Sequence, residues 1–166
     1  LKESIKCLSQ LLDVKQKVLP ISEDSNLVLM GKDTKGNIIE GEAQITEAHR
    51  KFERIYYKNE PKVLDEVLDA IIEADLIIFS MGSLYTSILP NIICSEVKEA
   101  LNKTKAPIMY LCNAVTQPGE TDNYTVGDHI ELLNKYLDFK KIDVVIASNT
   151  KIDKKIAKKY ETEEQK

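Results

Sequence analysis

The chain of 166 residues has no tryptophan, only three phenylalanines, six glycines and five prolines. Cysteine and histidine are scarce as well, at three and two residues. Cys7, Cys94 and Cys112 lie far apart among apolar neighbours, with no CxxC pair. That spacing argues against a disulfide framework and against structural zinc, and it fits buried, inert thiols in a reducing cytoplasm. With only His49 and His129 and no HExxH, a histidine-rich metal centre is excluded, and no metal site is expected. A Ser-His-Asp triad would need one of these two histidines, yet no GxSxG elbow accompanies them. Neither GxGxxG nor GxxxxGK[ST] is present. No apolar run approaches the roughly 20 residues of a membrane span, and no signal-peptide pattern opens the chain. Lys plus Arg total 23 and Asp plus Glu total 27, a net charge of −4. That balance gives no global electrostatic case for nucleic acid or an anionic membrane.

What is present is an ordinary globular composition, 43% hydrophobic and 30% charged. Ile5, Leu8 and Leu12 repeat at helical spacing and predict an N-terminal helix with one buried face. Val14–Leu19 reads as extended and ends at Pro20. Leu27–Lys32 and Ile38–Glu40 flank a polar loop containing Gly36 and predict a hairpin. Glu42–Thr46 and Phe52–Tyr57 read as further strands. The pattern then changes at Pro61, which suits a first helical turn. Three continuous apolar runs follow, Leu76–Phe79, Ile108–Cys112 and Val144–Ala147, separated by amphipathic stretches. Such runs mark strands buried on both faces, and the alternation predicts a parallel sheet with helices on both sides. The fold class is α/β, a Rossmann-like α/β/α arrangement with a mostly parallel sheet. Residues 1–166 form one domain or a piece of one, with a small β-rich insertion at about 14–58 and a core at about 61–160.

Ligands of open α/β sheets sit beyond the carboxyl ends of the strands. The first run empties into Ser80-Met81-Gly82-Ser83-Leu84-Tyr85-Thr86-Ser87, the second into Asn113 and then Thr116–Asp122, the third into Ser148-Asn149-Thr150. All three ends are rich in hydroxyl and amide groups suited to a polar ligand. Gly82 permits close backbone approach, and Ser83, Thr86 and Ser87 either add donors for an anion or cap a helix. The loop Asn113–Gly127 is 15 residues long, in the range where loops are usually functional or disordered. Its Glu120 and Asp122 suit sugar hydroxyls or Mg²⁺, or else face water around a Pro118-Gly119 turn. Thr125 and Asp128 read as a capping box, and His129 as structural or catalytic. Met81 and Tyr85 read as packing residues, although Tyr85 could stack on a base. The lysines of 151–160 read as a solvated face.

Two of these strings resemble the signatures of the CofD-like/YvcK-like family. The first is Gly82-Ser83-Leu84-Tyr85-Thr86-Ser87-Ile88-Leu89-Pro90-Asn91. The second runs from Cys112-Asn113-Ala114-Val115-Thr116-Gln117-Pro118-Gly119-Glu120-Thr121-Asp122 to Asp128-His129. Val18-Leu19-Pro20 and Gly41-Glu42 are similar to the family's β-rich insertion. Ser80-Met81 stands where family members usually have Gly-Pro. Family proteins are about twice as long and open with a glycine-rich nucleotide loop, so the resemblance makes this chain the second half of a longer protein.

The resemblance implies a Rossmann-like fold binding a phosphorylated ligand. One family branch is the bacterial gluconeogenesis factor, a regulator of carbon metabolism and cell shape that binds nucleotide sugars such as UDP-N-acetylglucosamine. The other is 2-phospho-L-lactate transferase, which works with Mg²⁺. The Gly-Glu-Thr-Asp loop is closer to the first branch. The implied ligand residues are Gly82, Ser83, Leu84, Tyr85, Thr86, Ser87, Asn113, Thr116, Gln117, Gly119, Glu120, Thr121, Asp122, Asn149 and Tyr160. Gly82, Ser83 and Thr86 would hold the diphosphate. The reading is a cytoplasmic, non-catalytic regulator whose ligand is a UDP-sugar, with Mg²⁺ optional and self-association compatible. The alternative is a Mg²⁺-dependent transferase. A third reading, a vestigial crevice serving assembly, would have Met81 fill the anion position.

Overall fold

The computed structural model describes residues 1–150 and 153–162. Two three-stranded sheets share one hydrophobic core. In the antiparallel sheet, β1 (Leu29–Asp33) is central, with β2 (Ile38–Glu40) and β3 (Phe52–Tyr57) at its sides. The hairpin follows the sequence reading. Its turn is organised by Asp33, whose carboxylate accepts the amide N–H groups of Lys35 and Asn37 and the Asn37 side chain at 2.7–2.8 Å. Those bonds, led by the Asn37 side chain, hold the Asp33 carboxyl down at about 2.

Glu42–Thr46 is not a strand. It lies within a helix, α2 (Glu42–Glu47), that follows Gly41 at φ 105°. Glu, Ala and Gln are strong helix formers, and only Ile45 enters the core, so one helical turn satisfies the segment better than a period of two. Val14–Leu19 forms no strand and is irregular.

The parallel sheet contains β4 (Ile77–Phe79), β5 (Ile108–Leu111) and β6 (Val144–Ile146), in that order. The connections are α4 (Leu89–Ile92) and α5 (Ser95–Lys103) between β4 and β5, and α6 (Val126–Tyr136) between β5 and β6. α3 (Asp65–Ile72) precedes β4 and packs on α5. Pro61 lies outside α3, which starts only at Asp65 after Leu64. The segment Pro90–Leu101 is broken at Ile93-Cys94 into α4 and α5, and α4 follows directly on a π-helical turn, Leu84–Ile88.

Burial of the parallel strands alternates, contrary to the sequence expectation. Ile108 and Tyr110 are fully buried, whereas Ile78, Val144 and Ile146 on the opposite face are 44–53% exposed. The strand order β4-β5-β6 winds one way, and right-handed crossovers then place both sets of connecting helices on the same side. The helix α1 (Lys2–Leu11) forms as read, but it buries no residue, and Leu8 and Leu12 are exposed. Cys7 on α1 is exposed as well. Cys94 and Cys112 are buried, and burial pushes the Cys94 thiol up to about 11. The last helix, α7, is Lys154–Thr162.

The two sheets are tied together through α6. The Ile55 amide on β3 donates to the Tyr136 hydroxyl at 2.7 Å in a buried setting. Tyr136→Phe leaves that N–H without an acceptor, at a cost of about 1–3 kcal/mol. Urea unfolding is expected to show a lower midpoint with an unchanged slope, since the folded surface stays the same.

Candidate functional site

The loops after β4 and β5 meet at the carboxyl edge of the parallel sheet. Asn113 binds the Gly82 backbone twice, accepting its N–H at 3.2 Å and donating Nδ2–H to its carbonyl at 2.9 Å. Beside this clasp, Glu120 is 2% exposed, and its carboxylate collects donors from two other segments. Ser83 Oγ donates at 2.6 Å, the Tyr85 amide at 3.0 Å, Thr86 Oγ1 at 3.1 Å and Thr46 Oγ1 on α2 at 3.2 Å. Ser83 Oγ and Thr86 Oγ1 also contact each other. Ser83 thus caps the π-helical turn while Glu120 fills the place of an anion at its N-terminus. The hydroxyls read as diphosphate donors are therefore turned onto an internal carboxylate.

The loop that delivers Glu120 is built for a tight fit. Gly119 has φ 82°, and a Cβ there would sit 2.7 Å from the Thr46 carbonyl. The Gly119 amide donates to Asp122 at 2.9 Å, and buried Thr121 Oγ1 accepts the Gln117 amide at 2.8 Å. The Asp122 carboxylate is on the exposed side of the same turn. At the start of α6 the Thr125–Asp128 capping box forms as read, and hydrogen bonds from Thr125 hold the Asp128 carboxyl below its ordinary range.

A cavity of about 220 Å³ opens between the ends of β5 and β6, lined by Asn113, Thr116, Tyr124, Thr125, His129 and Ser148 among others. His129 is 4% exposed, and its Nδ1 lies 2.9 Å from the Thr125 carbonyl. A donating Nδ1–H leaves Nε2 as the acceptor, and this buried nitrogen has no partner. The ring stacks on Tyr110 and meets the edge of Tyr124.

The remaining residues read as ligand contacts divide clearly. Leu84 and Tyr85 are 1% exposed, so their side chains belong to the core rather than to the crevice. Tyr85 packs edge-on against Phe52 and bonds Tyr124 through the hydroxyls at 2.9 Å. Ser87 is exposed and lies on a separate cavity of about 350 Å³, together with Met81 and Gly82. Met81 is 63% exposed, so it does not fill the anion position that Glu120 occupies. Asn149 is exposed beyond β6. Tyr160 falls in α7, and its side chain lies outside the described residues.

The model of the family described as 2-phospho-L-lactate transferase CofD matches residues 1–166. The chain belongs to the CofD family. A putative gluconeogenesis factor of Thermotoga maritima is 40% identical over 162 residues, covering 97% of this chain and 51% of that protein. The gluconeogenesis factor of Bacillus subtilis is 40% identical over 157 residues, covering 94% and 49%. A crystal structure of a Bacillus halodurans protein superposes with a TM-score of 0.93 at 36% identity, covering 99% of this chain and 54% of that one. The chain therefore spans about half the length of these relatives.

Sequence reasoning missed several residues of this CofD-family crevice. Thr46, His49, Arg50 and Lys51 are brought against the second loop by α2, which the strand reading of Glu42–Thr46 concealed. No local signal marked them, since their partners lie about 70 residues further along the chain. Glu120→Gln removes the charge and sets an amide N–H₂ against the Ser83, Thr86 and Thr46 hydroxyls, which must turn from donors into acceptors to meet it. It is expected to lower stability by about 1–3 kcal/mol and to loosen the turn at Ser83–Thr86. Thermal unfolding reads the first effect, and amide exchange at Tyr85 the second.

Proposed function

We propose that this CofD-family chain forms part of a cytoplasmic bacterial regulator that binds a nucleotide sugar, of which UDP-N-acetylglucosamine is the first candidate. The observation that carries the reading is the pair of signature loops fastened to each other at the sheet's carboxyl edge by Asn113 and Glu120. Family membership supports a phosphorylated small molecule as the ligand. The gluconeogenesis factors among the relatives support control of carbon metabolism, and by the same resemblance cell shape. No described helix is long and apolar enough to cross a membrane.

In this reading Glu120 is a positioning residue. It fixes the backbone of Gly82–Thr86, while Asn113 and Thr116 border a cavity beside the clasp that is open to part of the ligand. Self-association is compatible with this arrangement. A transferase is the second reading, favoured by the description of the family. There Asp122, on the exposed side of its turn, would assist Mg²⁺ or a proton transfer.

Calorimetric titration of the full-length protein with UDP-N-acetylglucosamine is expected to show saturable binding without turnover. Absence of saturable binding sinks the regulator reading. Turnover with Mg²⁺ that is lost in Asp122→Asn establishes the transferase instead.

A further inference from the structure

A phosphoryl group brings one to two negative charges, and a binding site answers them with cations or converging N–H donors. The signature loops cannot supply the cations, because residues 80–87 and 113–122 contain no Lys, Arg or His. The antiparallel sheet supplies them. Two neighbouring cavities, of about 440 Å³ and 300 Å³, share His49, Arg50 and Lys51 as a common wall. The larger continues to Lys35, Thr34 and Asn37 at the hairpin turn. The smaller continues to Asp122, Asn123 and Asp128 on the signature loop.

The cationic end is organised rather than merely exposed. Arg50 Nη1 is anchored on Asp33 at 3.0 Å, and the Asp33 side chain is only 2% exposed. Its oxygens are engaged by the turn amides, by Asn37 and by Arg50, so the Arg50–Asp33 pair is close to neutral and offers guanidinium N–H donors, while Lys35 and Lys51 carry the net positive charge. Neither Lys35 nor Lys51 makes an ion pair within 4 Å among the described residues; the Lys51 ammonium stands 5.8 Å from the Tyr124 ring centre and attracts the Asp128 carboxylate at longer range. His49 turns the chain with φ 47°, a conformation that non-glycine residues seldom adopt. That turn sets its ring against Gly119, where a Cβ would come within 3.1 Å of Nδ1. Gly119 is thus what allows the signature loop to close against the cationic segment.

We propose that this groove binds a phosphorylated polyhydroxy ligand, with its phosphoryl group on Lys35, Arg50 and Lys51 and its hydroxyls toward Asp122 and Asp128. The polarity follows from the order of the charges, with Lys35 at the hairpin end, Asp122 and Asp128 at the signature-loop end, and Arg50 and Lys51 between them. The inference rests on the proposed function for its ligand class and adds the phosphate subsite, on the antiparallel sheet rather than in the glycine-containing turn. Glu120 already satisfies the donors of that turn.

The test uses the full-length protein with two probes, inorganic pyrophosphate and UDP-N-acetylglucosamine, titrated into unaltered protein, Lys51→Arg and the double variant Lys35→Gln/Lys51→Gln. Both lysines are exposed, so the double variant is expected to keep its melting temperature. Pyrophosphate affinity is expected to fall at least about tenfold in the double variant, to weaken with added salt, and to persist in Lys51→Arg. No pyrophosphate binding by the unaltered protein, or equal affinity in the double variant, overturns the inference. UDP-N-acetylglucosamine binding that is indifferent to the double variant also overturns it, while leaving the proposed function standing. Pyrophosphate binding that depends on the lysines, without any UDP-N-acetylglucosamine binding, upholds the subsite and removes the nucleotide-sugar reading.

Discussion

A buried carboxylate is costly unless donors surround it, and in this chain the Glu120 carboxylate is surrounded. It receives two hydroxyls and one amide from the turn after β4 and a further hydroxyl from α2. Three segments that are distant in sequence therefore share one anion. Loss of any donor leaves part of the charge unpaired, so the loops are fixed relative to one another by a penalty rather than by a surplus of attraction. The signature turn, the second loop and the antiparallel sheet depend on that point for their alignment.

The packing around this centre follows from topology. A parallel sheet wound in one direction gathers its connecting helices on one face, and the core of Ile108, Tyr110, Leu133 and Leu137 lies there. The antiparallel sheet joins the same core through Ile55 and Phe52, and its attachment to α6 uses the Tyr136 hydroxyl. The sheet's other face keeps Ile78, Val144 and Ile146 substantially exposed. Relatives that this chain covers for about half their length have further chain with which to meet such a surface.

Much of this was legible from residue patterns, and the rest failed for identifiable reasons. The apolar runs at Ile77–Phe79, Ile108–Leu111 and Val144–Ile146 announced parallel strands because each is a short, continuous apolar or aromatic stretch between helical segments. The hairpin around Gly36 was readable from its turn chemistry, and Thr125–Asp128 from the capping pattern. α2 was misread because Ile45 and Thr46 have β propensity, while the deciding contact of Ile45 with the core is long-range. The stripe on α1 looked like a buried face, since periodicity reports an apolar side but not what covers it. The signature strings lie at the strand ends, where the apolar runs placed them. They could not say that Ser83 and Thr86 serve Glu120, nor that Tyr85 is core, because a hydroxyl's partner is chosen by tertiary contact.

The central claim is that the two signature loops act as one ligand-bearing unit held by Glu120. Hydrogen–deuterium exchange of the full-length protein, with and without saturating UDP-N-acetylglucosamine, tests it most directly. The account predicts that peptides covering 82–87 and 113–122 gain protection together on ligand addition, and that Glu120→Gln uncouples them. Protection of one loop without the other, or unchanged coupling in Glu120→Gln, would contradict it.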